Sequence, residues 1–193
     1  MVGAGLPQLL SIAGEAKSYA ERLFDYPIVD KLAPSPATDA IRKPALALGV
    51  SFEDEAMEEI IKKTDGYPYF LQEWGKHAWD LALESPITKI DVEEASQLTI
   101  ATLDESFFKV RLERTTPSER RYLKAMADLG AGPHRSGDIA QKLNKAATSL
   151  GPVRASLIGK GIVWSPSHGD TAFAVPLFHL YLLRTLKDQL STS

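Results

Sequence analysis

The chain has 193 residues, 44% hydrophobic and 24% charged, with no cysteine. That is enough for one globular domain or two small ones with an apolar core, and it excludes disulfides, thiolate metal sites and cysteine nucleophiles. No apolar run approaches the roughly 18 to 20 residues that span a bilayer, and the apolar start Met1 to Leu10 lacks the basic residues of a signal peptide. A cytoplasmic chain with no membrane partner is expected. The net charge of -3 hides an asymmetry: residues 1–108 hold 19 acidic and 9 basic side chains, whereas residues 109–160 hold 4 acidic and 11 basic. The basic stretch either meets nucleic acid or docks onto the acidic part of its own chain.

In chain order, Gly3-Ala4-Gly5-Leu6-Pro7 reads as a tight turn at the end of a strand, followed by a helix over residues 7–23. Pro27, Pro34 and Pro36 make residues 25–36 an extended connector. Helices follow one another from there. Thr38 is the expected N-cap of one ended by Gly49. The next carries Ala56, Met57, Ile60 and Ile61 on one face, has Lys62 and Lys63 in its last turn, and stops at Gly66. Pro68 opens a third, with Tyr69, Phe70, Trp74 and Trp79, and a fourth starts at residues 88–91 and runs to about Phe108. These rings exceed what a small bundle covers, so an apolar surface at Tyr67, Tyr69, Phe70 and Trp74 is expected, open to self-association or a protein partner.

The pattern then changes. Thr116-Pro117-Ser118-Glu119 is a strong helix start. Ser136 is expected to cap a short helix, and Thr148 or Ser149 to open another that Gly161 stops. Residues 162–164 and 171–175 read as two strands joined by a turn at residues 165–170, before a last helix over 177–190. Three helices and a β-hairpin are the order of a winged helix. The fold class is therefore mainly α: a helical bundle over residues 37–108, then a winged-helix domain over residues 109–193, with residues 1–36 preceding both.

Catalytic patterns are missing from the sequence. The nearest approach to a phosphate-binding loop, Gly151 to Gly159-Lys160, is too long and has Gly161 where a hydroxyl would hold Mg²⁺. No apolar strand ends in paired acids. His77, His134, His168 and His179 lack the mutual spacing of metal ligands, and no Gly-x-Ser-x-Gly elbow occurs. Neither an enzyme nor a resident metal or cofactor is expected in this chain. A winged helix reads base edges with its third helix and holds phosphates with flanking basic groups. Here the candidates are Arg135, Ser136, Lys142, Lys145, Arg154 and Lys160. With Leu150, Val153, Leu157 and Ile158 facing inward, one arginine is thin for sequence readout. Duplex DNA, met through residues 109–160, and a protein both remain open as partners.

The runs Gly3-Ala4-Gly5-Leu6-Pro7, Tyr19-Ala20-Glu21-Arg22-Leu23-Phe24 and Thr64-Asp65-Gly66-Tyr67-Pro68-Tyr69-Phe70-Leu71-Gln72 resemble the archaeal-type ATPases, AAA+/STAND-like P-loop proteins related to archaeal replication initiators. Phe107-Phe108 with Arg111, and Phe173 to Phe178, are similar to the winged-helix part of that family. The resemblance implies a longer parent that binds ATP and Mg²⁺ in an α/β core, with this chain as its C-terminal lid and winged helix. It makes residues 1–36 the remnant of that core and its connector. It also implies that Gly66-Tyr67-Pro68 is the Gly-x-Pro element of the lid near the adenine, and that Arg22 faces phosphate or a neighbouring subunit. No arginine follows Pro68 in its helix, so a direct lid contact with phosphate from that helix is not expected.

Overall fold

A computed structural model of the protein describes residues 31–186. The expected helix over residues 7–23, Arg22 and nearly all of the 1–36 segment lie outside the described residues. Helices and strands are numbered here from the first described one.

Helix α1, Pro34–Ala47, starts earlier than expected, with Pro34 in its first turn after extended Ala33. A proline costs little there because the first N–H groups of a helix have no partner anyway. Thr38 is therefore not the cap: it sits in the helix and donates back to the Pro34 carbonyl at 3.0 Å. Helix α2, Asp54–Thr64, has Asp54 and Glu55 at its positive end and Lys62 and Lys63 at its negative end, and stops on Asp65 in the left-handed region. Helix α3, Pro68–Leu81, again opens on proline. Helix α4, Lys89–Leu103, opens on a capping box in which Thr88 and Asp91 satisfy each other's backbone N–H.

These four helices bury Ile41, Met57, Ile60, Phe70, Leu71, Trp74, Val92 and Leu103. The expected ring surplus at the surface is mostly absent. Phe70 and Trp74 are buried, and the Trp74 indole donates to Ser96 Oγ at 3.0 Å. Only Tyr69 of the set is exposed. The cover comes from the end of α4, where a π-helical turn, Asp104–Phe108, leads into α5, Lys109–Glu113. Its wider winding brings Phe107 and Phe108 onto the Tyr69 and Phe70 rings, at centroid separations of 5.0 to 5.8 Å.

Helix α6, Pro117–Leu129, is opened by a second capping box, Thr116 with Glu119. Then come β1 (His134–Arg135), α7 (Ser136–Lys142), a 3-10 turn (Ala147–Leu150), α8 (Gly151–Gly159), β2 (Val163–Trp164), β3 (Asp170–Phe173) and α9 (Phe178–Thr185). The strands form an antiparallel sheet in the order β1-β3-β2, with His134 opposite Thr171 and Val163 opposite Phe173. This is the element order of a winged helix. The hairpin matches the sequence expectation. Strand β1 does not: two residues are too few to show a period. Ser136 is the first helical residue rather than the cap, and both its N–H and its hydroxyl donate to the Gly169 carbonyl at 2.9 Å, tying the hairpin turn to the start of α7. The core around Tyr122, Leu123, Ile139, Leu157, Val163 and Leu182 is continuous with that of the bundle. Phe108 stacks on Phe178 at 5.7 Å and Tyr181 at 5.4 Å.

Candidate nucleic-acid interface

The six candidate phosphate contacts divide into two groups. Arg135 projects from β1 with its side chain 80% exposed, 3.7 Å from the Asp170 carboxylate. Lys142, in the last turn of α7, and Lys145, just beyond it, are exposed as well. The other three are engaged within the fold. Arg154 donates from Nε to Thr171 Oγ1 at 2.8 Å, and from Nη2 to Ser165 Oγ at 2.7 Å and the Asp170 carbonyl at 2.8 Å. It clamps α8 to the hairpin. Lys160 donates from Nζ to both oxygens of Glu119, at 2.7 and 2.9 Å, and to the Arg114 carbonyl. The Ser136 hydroxyl is bonded to Gly169.

Glu119 is the acceptor on which this arrangement converges. It is 3% exposed. One of its oxygens takes the Thr116 N–H at 2.7 Å, and the other takes the Ser156 hydroxyl at 2.7 Å. Burial pushes its carboxyl up, but the bonds from Lys160, Thr116 and Ser156 outweigh that and bring it down to about 2. Sequence reasoning read Glu119 only as a first-turn acid. Its partner Lys160 lies 41 positions away, and no local pattern signals such a pair.

Helix α8 stands where a winged helix places its reader. Its exposed positions are Gly151, Pro152, Ala155, Ser156 and Gly159. None carries a long donor, and the Ser156 hydroxyl is already given to Glu119. A bidentate contact to a base edge needs arginine, asparagine or glutamine in such places. Of the six candidates, Arg135, Lys142 and Lys145 are the ones exposed to meet duplex DNA. Gly151 and Gly159, the glycines nearest to a phosphate-loop pattern, begin and end α8.

At the other end of the unit, Gly66-Tyr67-Pro68 forms the turn between α2 and α3. The Gly66 carbonyl accepts the Leu32 N–H at 2.9 Å. Its φ is +71°, and a Cβ here would lie 2.2 Å from the Leu32 carbonyl oxygen, so only glycine fits. Tyr67 packs its ring 4.7 Å from Phe70, and Pro68 is exposed. His77 is buried, with its ring 3.7 Å from Glu73. Among the described residues no three His, Asp or Glu side chains converge as metal ligands do, and no helix is long and apolar enough to cross a membrane.

Residues 105–182 match a family model described as a domain of unknown function, DUF8462. No curated protein matches the chain. Among solved structures the chain is similar to Thermotoga maritima RuvB, described as a Holliday junction branch migration motor, at 22% identity and a TM-score of 0.38. Two point mutants of the same protein match at 21% and 20% identity, each with a TM-score of 0.39. In each case 79% of this chain is covered and 49 or 50% of RuvB, so the chain spans about half the length of these structures. At that identity and score the likeness says nothing of activity or partner.

Proposed function

We propose that the chain is the non-catalytic C-terminal module of an AAA+/STAND-like P-loop ATPase, a lid joined to a winged helix. The observation that carries this reading is the glycine-only turn at Gly66-Tyr67-Pro68, held against Leu32, at one end of a core that runs on through Phe108 into α9. In a parent with a nucleotide-binding core, a shift of the lid at that turn would carry the winged helix with it, a hinge-type switch. ATP and Mg²⁺ would belong to the parent. The test is the coding DNA upstream of residue 1. An in-frame Gly-x-x-x-x-Gly-Lys-[Ser/Thr] supports the reading, and a stop codon with no such motif before it overturns it.

For the winged helix, the bare face of α8 favours docking to a protein over reading a DNA sequence. Contact with duplex DNA is then electrostatic, blind to sequence and confined to Arg135, Lys142 and Lys145. A fluorescence-anisotropy salt series on the whole chain separates the two. The whole chain is required because Phe108, just before the winged-helix segment, packs into its core. Sequence-blind binding whose log–log slope flattens by about 2 to 3 in the Arg135→Ala, Lys142→Ala, Lys145→Ala triple variant supports the DNA contact. No binding at low salt leaves protein docking.

A further inference from the structure

We propose that Arg111 is the centre of an oxyanion site, shaped for a phosphate group, where the helical bundle meets the winged helix. Arg111 lies on α5 directly after the π-helical turn. Its Nη1 donates to the Phe107 carbonyl at 2.7 Å, and its guanidinium carbon stands 3.7 Å from the centre of the Phe107 ring. The ring and the carbonyl fix the plane of the guanidinium. They occupy one of its five N–H donors. Among the described residues it has no other hydrogen bond and no carboxylate partner.

The other half-buried arginines differ. Arg42 pairs with Asp54, Arg120 donates to Thr115 and the Leu112 carbonyl, and Arg154 has three acceptors across the hairpin. Arg111 alone of these four is given nothing but a carbonyl of its own helix. Burial disfavours its charge, and Arg114 acts against it as well. A cation drawn partly out of water without a counter-charge is costly, and an arriving oxyanion relieves that cost while Arg114 adds to the attraction. The hydroxyl-bearing rings belong to the same cluster. Tyr69 stacks on Phe107 at 5.0 Å, and Tyr67 is the middle residue of the Gly66-Tyr67-Pro68 turn. A guanidinium lying on a ring keeps its edge donors in plane, the geometry that suits two oxygens of one phosphate.

The phosphate could be that of a nucleotide or a free polyphosphate, and only the first source rests on the lid reading above. The test is a titration of the whole chain at low salt with pyrophosphate and, separately, with ATP, followed by NMR or calorimetry. Both anions are expected to bind with a Kd of about 1 mM. Arg111→Gln should weaken both about tenfold or more, and Arg111→Lys, which keeps the charge but not the fork, should recover only part of that. Exposed Arg114→Gln is the second variant, should Arg111→Gln disturb folding by circular dichroism. It should weaken both anions about two- to threefold by removing one nearby charge, while Lys43→Ala, at an exposed lysine of α1, leaves them unchanged. Absence of binding, equal binding by parent and Arg111→Gln, or equal loss in Lys43→Ala overturns the site. Binding of ATP without pyrophosphate also overturns it, since the base and not the phosphate is then recognised, and it leaves the lid reading standing. Equal affinity for both anions supports the site and makes phosphate alone its ligand.

Discussion

The bundle and the winged helix hold themselves together by different means. In the bundle the core is apolar, with Trp74 to Ser96 as a polar contact buried at its centre. Several of its ion pairs lie at the surface, such as Lys43 with Asp39 and Lys89 with Glu93, both one helical turn apart. Pairs of that kind are worth a few tenths of a kcal/mol. The winged helix has a small core and a three-stranded sheet of very short strands, and it uses charged side chains as fasteners. Glu119 gathers α6, Ser156 of α8 and Lys160, and Arg154 joins α8 to β3 and the hairpin turn. A basic composition thus has two meanings in one segment. Some cations are offered to solvent, and others are spent on the fold.

The contrast predicts where the unit breaks. Phe108 serves both regions, so Phe108→Ala should cost most, about 3 to 5 kcal/mol. Because the core is continuous, Trp74 in the bundle and Trp164 on β2 should lose their folded fluorescence in one urea transition. Two separate transitions would show that the regions are independent. Next in size is the response to acid. Glu119 titrates at about 2 in the folded chain, below its ordinary 4.5. Its contribution is therefore complete above about pH 4.5 and lost as pH falls toward 2. That loss should be about 3 kcal/mol in full, roughly 2 kcal/mol of it by pH 3. It should be reduced in Glu119→Gln, as read from urea midpoints at pH 6 and pH 3. Arg154→Ala follows at about 2 kcal/mol, since it leaves the buried Thr171 hydroxyl without its donor.

Much of the fold is legible in local sequence because its signals are local. Pro68, Pro117 and the pairs Thr88/Asp91 and Thr116/Glu119 mark helix starts through atoms no more than three residues apart. Gly66 marks a stop because the backbone there admits no Cβ. The hairpin shows as two apolar runs around a Ser-Pro-Ser-His-Gly-Asp turn. The candidate site is much less legible. Arg154 reads as exposed on its helix, yet its acceptors are 11 to 17 positions away on the hairpin. The π-helical turn that brings Phe107 to Arg111 leaves no period to detect, and the covered state of Phe70 depends on rings about 37 positions further on. Local chemistry names the elements, whereas the fate of a polar side chain is decided by which elements meet.

The smallest effect gives the sharpest test of the contrast, because it compares cations of one segment under one substitution. Lys142 and Lys145 are exposed and their side chains make no hydrogen bond among the described residues, whereas Lys160 holds a carboxylate that is 3% exposed. Replacing Lys142 and Lys145 together by alanine should move stability by no more than about 0.5 kcal/mol, the usual range for surface positions. Replacing Lys160 by alanine strands Glu119 inside the protein without its cation, at a cost of about 2 to 3 kcal/mol. Stranded, the carboxyl rises toward its ordinary range, since burial then meets fewer opposing bonds. The Lys160→Ala variant should therefore lose less than the parent between pH 4.5 and pH 2, while the double variant keeps the parent's full acid dependence. Urea midpoints for the three chains at two pH values decide it. If the double variant proves as unstable as Lys160→Ala, the exposed lysines are fasteners too, and the division of this segment into offered and engaged cations is wrong.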